Sequence, residues 1–241
     1  MELNIDYRLD FQKLNETIRA ASDHEVVING CMGQRYIASG LSDKEIMIHG
    51  TPGNALGSYL NGAKVQVYGN AQDAVGDTMN EGEIIVHGSC GDAVGYAMRG
   101  GRILIHGNAG YRAGIHMKAY KDKVPVLVVG GKVGSFLGEY QAGGRIIVLN
   151  LGTEEESPVG FFCGTGMHGG KIFLRTRNLP DNLSSHIVTA LATEEDLKEI
   201  EPELAEFCSL FGENLQKILE HPFYVLTPDS QNPYKQLYTH N

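Results

Sequence analysis

A period of 19 residues constrains the fold of this chain more than any other feature. Short aliphatic segments recur at that spacing, and insertions of 5 and 7 residues separate the last copies. Within each segment the aliphatic residues alternate by two, which is typical of a β-strand. Repeats of this kind bury their apolar faces by stacking on one another, so the pattern predicts an all-β parallel β-helix of about seven to eight turns. Equivalent positions are Ile48, Val67, Val86, Ile105, Val129, Val148 and Leu174.

Glycines form two further ladders at fixed offsets from the aliphatic segments. The chain has 31 glycines in 241 residues without a collagen-like period, which indicates many turns that require glycine. The first ladder follows the strands, where the chain must turn, and the second lies about seven residues later, at corners with positive φ or close backbone approach. The first ladder is Gly50, Gly69, Gly88, Gly107 and Gly131. The second is Gly57, Gly76, Gly95, Gly114 and Gly138.

The outward positions of the predicted strands are apolar as well. A strand that is apolar on both faces is normally covered on both. Either the chain's own helices or another protein must therefore pack on this side, and these positions are a candidate interface. They are Met47, Ile85, Leu104, Val128, Ile147 and Phe173.

The ends of the chain differ from its repetitive middle. Residues 1–24 carry an amphipathic helical pattern, residues 25–176 hold the predicted β-helix, and residues 177–241 read as helices followed by an extended tail. Thr193 resembles the start of a capping box, and Pro202 predicts the start of a second helix.

Composition excludes several classes of function. A net charge of −9 argues against a nucleic-acid partner. The sequence has no apolar run long enough for a membrane span and no signal-peptide core, which predicts a cytoplasmic protein. The cysteines are far apart and form no C-x-x-C pair, so neither a disulfide framework nor a local metal motif is indicated. They are Cys31, Cys90, Cys163 and Cys208.

Two polar columns offer candidate chemistry beside a structural interpretation. His49, His87 and His106 share one repeat position. Of these, His87 and His106 could approach a metal, but a stacked structural ladder is favoured because no third ligand is evident. Asp73 and Asp92 share another and could form a glycosidase pair, but turn capping is favoured for residues of this type. No catalytic, cofactor-binding or metal-ligating residue is therefore assigned.

The repeated segments GNALG, GDAVG and GYRAG resemble the G-x-G-x-G domain that ends the large subunit of glutamate synthase. The stretch Gly166-Met167-His168-Gly169-Gly170 is similar to the G-M-T-G-G of that family, with His168 in place of Thr. The resemblance covers roughly residues 25–176 and implies a right-handed parallel β-helix with flanking helices. The same fold family includes one of the subunits of formylmethanofuran dehydrogenase.

The resemblance also implies a non-catalytic role in glutamate biosynthesis and nitrogen assimilation. The domain would brace a glutaminase against an FMN and iron–sulfur synthase, and both cofactors would lie on the partner. This chain begins Met-Glu, without the N-terminal cysteine nucleophile of the glutaminase, and lacks the cluster-binding cysteines. A scaffold for a formylmethanofuran dehydrogenase-type complex, a free-standing carbohydrate-active protein and a homo-oligomer remain open.

Overall fold

The strands of the described residues form one sheet. The computed structural model describes residues 1–153, 155–181 and 183–229. Parallel pairing in chain order joins the first nine strands, and the last two are antiparallel, which gives the order β1-β2-β3-β4-β5-β6-β7-β8-β9-β11-β10. The strands are β1 (Glu2–Asn4), β2 (Glu25–Met32), β3 (Glu45–Thr51), β4 (Asn61–Tyr68), β5 (Glu81–Val86), β6 (Arg102–Ile105), β7 (Val126–Val129), β8 (Ala142–Val148), β9 (Gly169–Arg175), β10 (Ile187–Leu191) and β11 (Phe223–Pro228).

The predicted right-handed parallel β-helix is therefore wrong, because the described residues form a single mixed sheet of 11 strands. Each repeat contributes one strand to that sheet. The rest of each repeat runs through turns, which are joined to the next repeat by backbone hydrogen bonds and isolated bridges such as Ala71 to Cys90 and Ala109 to Val133. Alternating aliphatic residues identify a strand, but they do not determine how many sides of a repeat carry a continuous ladder.

The strand register follows the 19-residue spacing of the sequence. Ile46 pairs with Val65, Val65 with Ile84 and Ile84 with Ile103. All four side chains are buried in the main core, on the side of the sheet that faces the turns. Burying one aliphatic side chain of this size contributes roughly 1.5–3 kcal/mol, so the repeated column is a principal source of stability.

Among the described residues, three helices flank the sheet. α1 (Phe11–Ala20) begins at Asp10, whose side chain caps it, and buries Leu14 and Ile18 in the main core. α2 (Glu194–Phe211) begins at a capping box formed by Thr193 and Asp196. α3 (Leu215–Leu219) follows after a short turn.

The C-terminal part differs from its sequence interpretation in two respects. Pro202 lies inside α2 and does not start a second helix. β11 forms where an extended tail was predicted, and it inserts between β9 and β10. Residues 230–241 of that tail lie outside the described residues.

Candidate interaction surface

In both glycine ladders, close contacts or a positive φ disfavour a side chain. In the first, a Cβ on Gly69 would lie 2.4 Å from the carbonyl oxygen of Gly50, because the two backbones are in direct contact. In the second, Gly76 has φ +68° and a Cβ there would lie 2.4 Å from Cδ1 of Ile103. Gly57, Gly95, Gly114 and Gly138 also have positive φ, between +61° and +66°.

The turns beside the second ladder hold bulky residues in the left-handed region. Arg112, Phe136 and Phe162 each lie two residues before a glycine and have φ of 58°, 66° and 62°. Four residues further along the same turns, His116 and Tyr140 have φ of 56° and 55°. A left-handed conformation costs roughly 1–2 kcal/mol for a residue other than glycine. The same conformation recurs at the equivalent positions of the earlier repeats, so it belongs to the turn of the repeat.

These residues form two exposed stacks. The guanidinium of Arg112 lies 5.0 Å from the ring centre of Phe136, which stacks on Phe162 at 5.0 Å. The ring of His116 stacks on Tyr140 at 5.2 Å and meets Tyr96 edge-on at 5.8 Å. We call the whole set the aromatic surface: Tyr96, Tyr111, Arg112, His116, Phe136, Tyr140, Phe161 and Phe162.

The composition of the aromatic surface is that of a protein-binding site. Phe161 is 63% exposed and Phe162 53%, although phenylalanine is usually buried. Aromatic residues and arginine are enriched at protein interfaces and supply most binding hot spots. Sequence analysis missed this surface. Its only signal is a bulky residue two positions before a ladder glycine, at Arg112 and Phe136, and two positions before Gly164, at Phe162.

The candidate interface predicted from the outer strand positions is covered by the chain itself. Ile85, Leu104, Val128, Ile147 and Phe173 are at most 1% exposed. α2 packs on them through Ile200, Leu204 and Phe207, together with residues of α3 and β11. Met47, beyond this cover, is half-buried. The five buried side chains are therefore not free to receive another protein, and α2 supplies the cover that the apolar pattern requires.

Ion pairs hold α2 along the strands. Lys171 lies 2.9 Å from Asp196 and 2.7 Å from Glu199, and Arg145 pairs with Glu203 further along the helix. The hydrogen bond from Lys171 holds the pKa of Asp196 below its usual value. The acidic residues of α2 recur every three or four positions, so they lie on one face of the helix above the basic residues of successive strands.

A charged cleft of about 600 Å³ lies beside this helix. Glu83 is nearly buried there, 2.8 Å from Lys64 and 2.6 Å from Arg102. Burial raises the pKa of Glu83, but the hydrogen bonds from Lys64 and Arg102 outweigh that effect and hold the pKa below its usual value. Glu206 has a raised pKa because it is partly buried and lies beside Glu83. The charges that line the cleft thus pair with one another and join α2 to the sheet.

The histidine column is interrupted by a tyrosine and ends at α2. Tyr68 stacks between His49 at 4.9 Å and His87 at 4.7 Å. His106 stacks on Phe211 at 4.8 Å, and its Nε2 lies 3.0 Å from Glu213. Within residues 1–153, 155–181 and 183–229, no three His, Cys, Asp or Glu side chains are placed to hold a metal ion.

The carboxylates of the aspartate column accept hydrogen bonds from backbone N–H groups. Oδ1 of Asp73 accepts a hydrogen bond of 2.9 Å from the N–H of Asp92, whose own Oδ1 accepts one of 2.8 Å from Tyr111. Ser135 accepts in the same way from Phe161 at 3.0 Å. Each side chain thus caps the turn of the next repeat, and the carboxylates are engaged in the fold.

Comparison with known protein families shows which family this chain belongs to. The sequence model of the GXGXG motif family, which describes the C-terminal domain of the glutamate synthase large subunit, matches residues 11–227. This chain belongs to the GXGXG family. It is therefore related to a glutamate synthase subunit.

The GXGXG chain also resembles an uncharacterized protein of Methanocaldococcus jannaschii. The two sequences are 45% identical over 245 residues, which cover 98% of this chain and 94% of the relative. The similarity therefore includes the flanking helices as well as the repeats.

Residues 166–170, which resemble the G-M-T-G-G segment of the family, pack against Tyr140 and Gln141. The carbonyl oxygen of Gln141 accepts hydrogen bonds from the N–H groups of His168 at 2.7 Å and Gly169 at 3.2 Å. A Cβ on Gly170 would lie 2.6 Å from Nε2 of Gln141, and one on Gly166 would meet the ring of Tyr140 at 2.5 Å. The bond from residue 168 comes from its backbone, so it forms with His168 as it would with Thr.

The cysteines of the domain are buried thiols. Burial raises the pKa of Cys31 to about 11 and that of Cys163 to about 12, and it also raises the pKa of Cys90 and Cys208. Thiols with a raised pKa are poor nucleophiles at neutral pH. As for membranes, none of the helices in the described residues has the length and apolar character needed to cross a bilayer.

Proposed function

We propose that this GXGXG chain is a non-catalytic structural subunit of a cytoplasmic glutamate synthase-type complex. In that role it braces a glutaminase against an FMN and iron–sulfur synthase, and both cofactors are bound by the partner. The observation that carries the proposal is the family match over residues 11–227. That match relates the chain to a domain of the glutamate synthase large subunit.

The aromatic surface supports an interaction role. It exposes several aromatic rings to solvent, a feature that stability alone does not favour. The polar groups that could suggest catalysis serve the fold instead. Asp73 and Asp92 cap turns, and Glu83 is paired with Lys64 and Arg102.

The experiment is affinity recovery of the tagged full chain from its native cells, with mass spectrometry and an assay of glutamine-dependent glutamate formation. Recovery of glutaminase and flavin-dependent synthase chains, with that activity, is the expected result. Recovery of a formylmethanofuran dehydrogenase-type assembly, or of the chain alone, would overturn the proposal.

Substitution of the aromatic surface sharpens the experiment. Phe161→Ala is expected to lower the recovery of partners at least about tenfold, as the loss of a hot spot of more than 1.4 kcal/mol would. The matched control is Tyr7→Ala, because Tyr7 is 70% exposed and lies outside the aromatic surface. Equal recovery with both variants would exclude this surface as the binding site.

A further inference from the structure

β10 is an edge of the sheet that no described strand covers. It pairs with β11 on one side, and the sheet order ends there. The opposite edge is β1, a strand of three residues that includes the exposed Glu2. Natural proteins protect sheet edges with short strands and charged side chains, as β1 does. β10 has five residues, Ile187–Leu191, and none of them is charged.

The backbone groups on the outer side of β10 can be identified from the ladder. Ala192 N–H donates to Phe223 at 2.8 Å, and Asp229 N–H donates to His186 at 2.9 Å. Antiparallel pairs that exchange hydrogen bonds recur at every second residue, so Val188 and Ala190 face β11. The N–H and C=O groups of Thr189 and Leu191 therefore point away from it. Ile187 also presents its carbonyl outward, while its N–H donates to Ser184 at 3.1 Å.

The side chains of β10 suit apolar contact. Val188 is 52% exposed and Leu191 60% exposed, and Thr189 and Ala190 are exposed as well. An exposed apolar edge strand of this kind is a template for another strand. Among the described residues, this is the longer and less protected of the two sheet edges.

We propose that β10 pairs antiparallel with β10 of a second copy, about a two-fold axis at Thr189. In this arrangement Thr189 of each copy exchanges two hydrogen bonds with its counterpart. The N–H of each Leu191 donates to the carbonyl of Ile187 in the other copy, which adds two more. A two-fold contact of this kind closes on itself and does not extend into a fibre.

The sequence of β10 favours a second copy as the occupant. With the axis at Thr189, Val188 of one copy lies opposite Ala190 of the other, so a large side chain faces a small one. On the other face, Ile187 lies opposite Leu191. Cross-strand pairs of apolar residues stabilise a ladder, and like charges opposite one another would oppose it. The strand carries no charge, and beyond about 8 Å at physiological salt the net charge of −9 on each copy is largely screened.

The experiment is light-scattering mass measurement of the purified full chain at increasing concentration. The wild-type chain is expected to approach twice its monomer mass of 26.2 kDa. Thr189→Pro should stay at the monomer mass, because proline removes the outward N–H while the bonds to β11 remain. Thr189→Val is the matched control and should dimerise like the wild type.

A second variant distinguishes a loss of dimerisation from a loss of folding. Leu191→Lys changes an exposed side chain on the same edge and should raise the dissociation constant of the dimer at least about tenfold, since it places a charge against Ile187 of the other copy. Circular dichroism establishes that each variant is folded. A wild-type chain that stays at 26.2 kDa, or folded Thr189→Pro and Leu191→Lys variants that both dimerise like the wild type, would overturn the proposal. The measurement needs no partner protein, so its outcome is independent of the proposed function.

Discussion

Nη2 of Arg102 lies 2.9 Å from Oε1 of Glu206, and this pair joins β6 to α2. The same guanidinium reaches Glu83 through its Nε at 2.6 Å. Glu83 is the least exposed of these three side chains, and its side chain is only 9% accessible. The arginine that pairs with α2 is therefore positioned by a nearly buried carboxylate, which lies between Lys64 and Arg102.

Glu83→Gln is expected to lower the free energy of unfolding by about 2 kcal/mol at pH 7, because hydrogen bonds to a charged, nearly buried group are lost. Urea denaturation followed by circular dichroism measures the change. Glu206→Gln should change stability by less than about 0.5 kcal/mol. The raised pKa of Glu206 shows that its ionised form is disfavoured in the fold, and glutamine can still accept from Arg102.

Glu81→Gln is the control for this comparison. Glu81 also forms one ion pair, 2.6 Å from Lys123, but its side chain is 59% exposed. Exposed pairs contribute about 0–1 kcal/mol, so the control should have little effect. A loss as large for Glu81→Gln or Glu206→Gln as for Glu83→Gln would contradict the importance of the buried carboxylate.

The stability of the chain should fall in acid. The pKa of Glu83 is lowered from 4.5 and that of Asp196 from 3.8, so both groups bind protons less readily in the folded chain than in the unfolded chain. Their contribution is fully present above the unfolded pKa values and is lost as pH falls through the folded ones. Denaturation midpoints measured from pH 6 down to about pH 3 should decrease, and the decrease should be smaller in Glu83→Gln. An equal slope in both proteins would assign the acid effect to other groups.

The sequence predicts part of this architecture well. The spacing of 19 places Ile84 beside Ile103, and the two residues are paired. The sequence predicts helices after residue 176, but a helical pattern does not specify which surface the helix packs on, so the cover over Ile85 and Phe173 required the three-dimensional structure. The single sheet was not predictable from strand periodicity alone.

The aromatic surface was missed for a different reason. The position two residues before the turn glycine is alanine at Ala55, Ala74 and Ala93, and it becomes bulky only at Arg112, Phe136 and Phe162, the last of which precedes Gly164. A feature confined to the last three copies does not stand out as a repeat. Its stacks also depend on the left-handed backbone, which sequence patterns do not predict for phenylalanine.

Substitution of Asp92 tests whether the aspartate column stabilises the fold by capping turns. Asp92→Ala removes the acceptor of the 2.8 Å bond from the N–H of Tyr111 and should cost about 1 kcal/mol. Asp92→Asn keeps an acceptor oxygen, as Asn54 does at the equivalent position, and should cost less than about 0.5 kcal/mol. Thermal unfolding of both variants measures the difference. An equal loss in Asp92→Asn and Asp92→Ala would indicate that the charge of the carboxylate, which both variants remove, matters more than its hydrogen bond.

Substitution of two glycines that have the same φ distinguishes the energetic cost of backbone strain from the cost of close packing. Gly40 and Gly76 both have φ +68°, but a Cβ on Gly40 would meet no atom within 4 Å, while one on Gly76 would lie 2.4 Å from Ile103. Gly40→Ala should therefore cost about 1–2 kcal/mol, from the left-handed backbone alone. Gly76→Ala should cost about 3 kcal/mol, because overpacking adds to the same strain. Chemical denaturation of the two variants measures the difference in the free energy of unfolding. The double variant Gly76→Ala, Ile103→Val should recover part of the loss, because it removes the methyl group that clashes. Equal losses at the two glycines would show that the ladder needs glycine for its positive φ alone and not for the close approach of successive repeats.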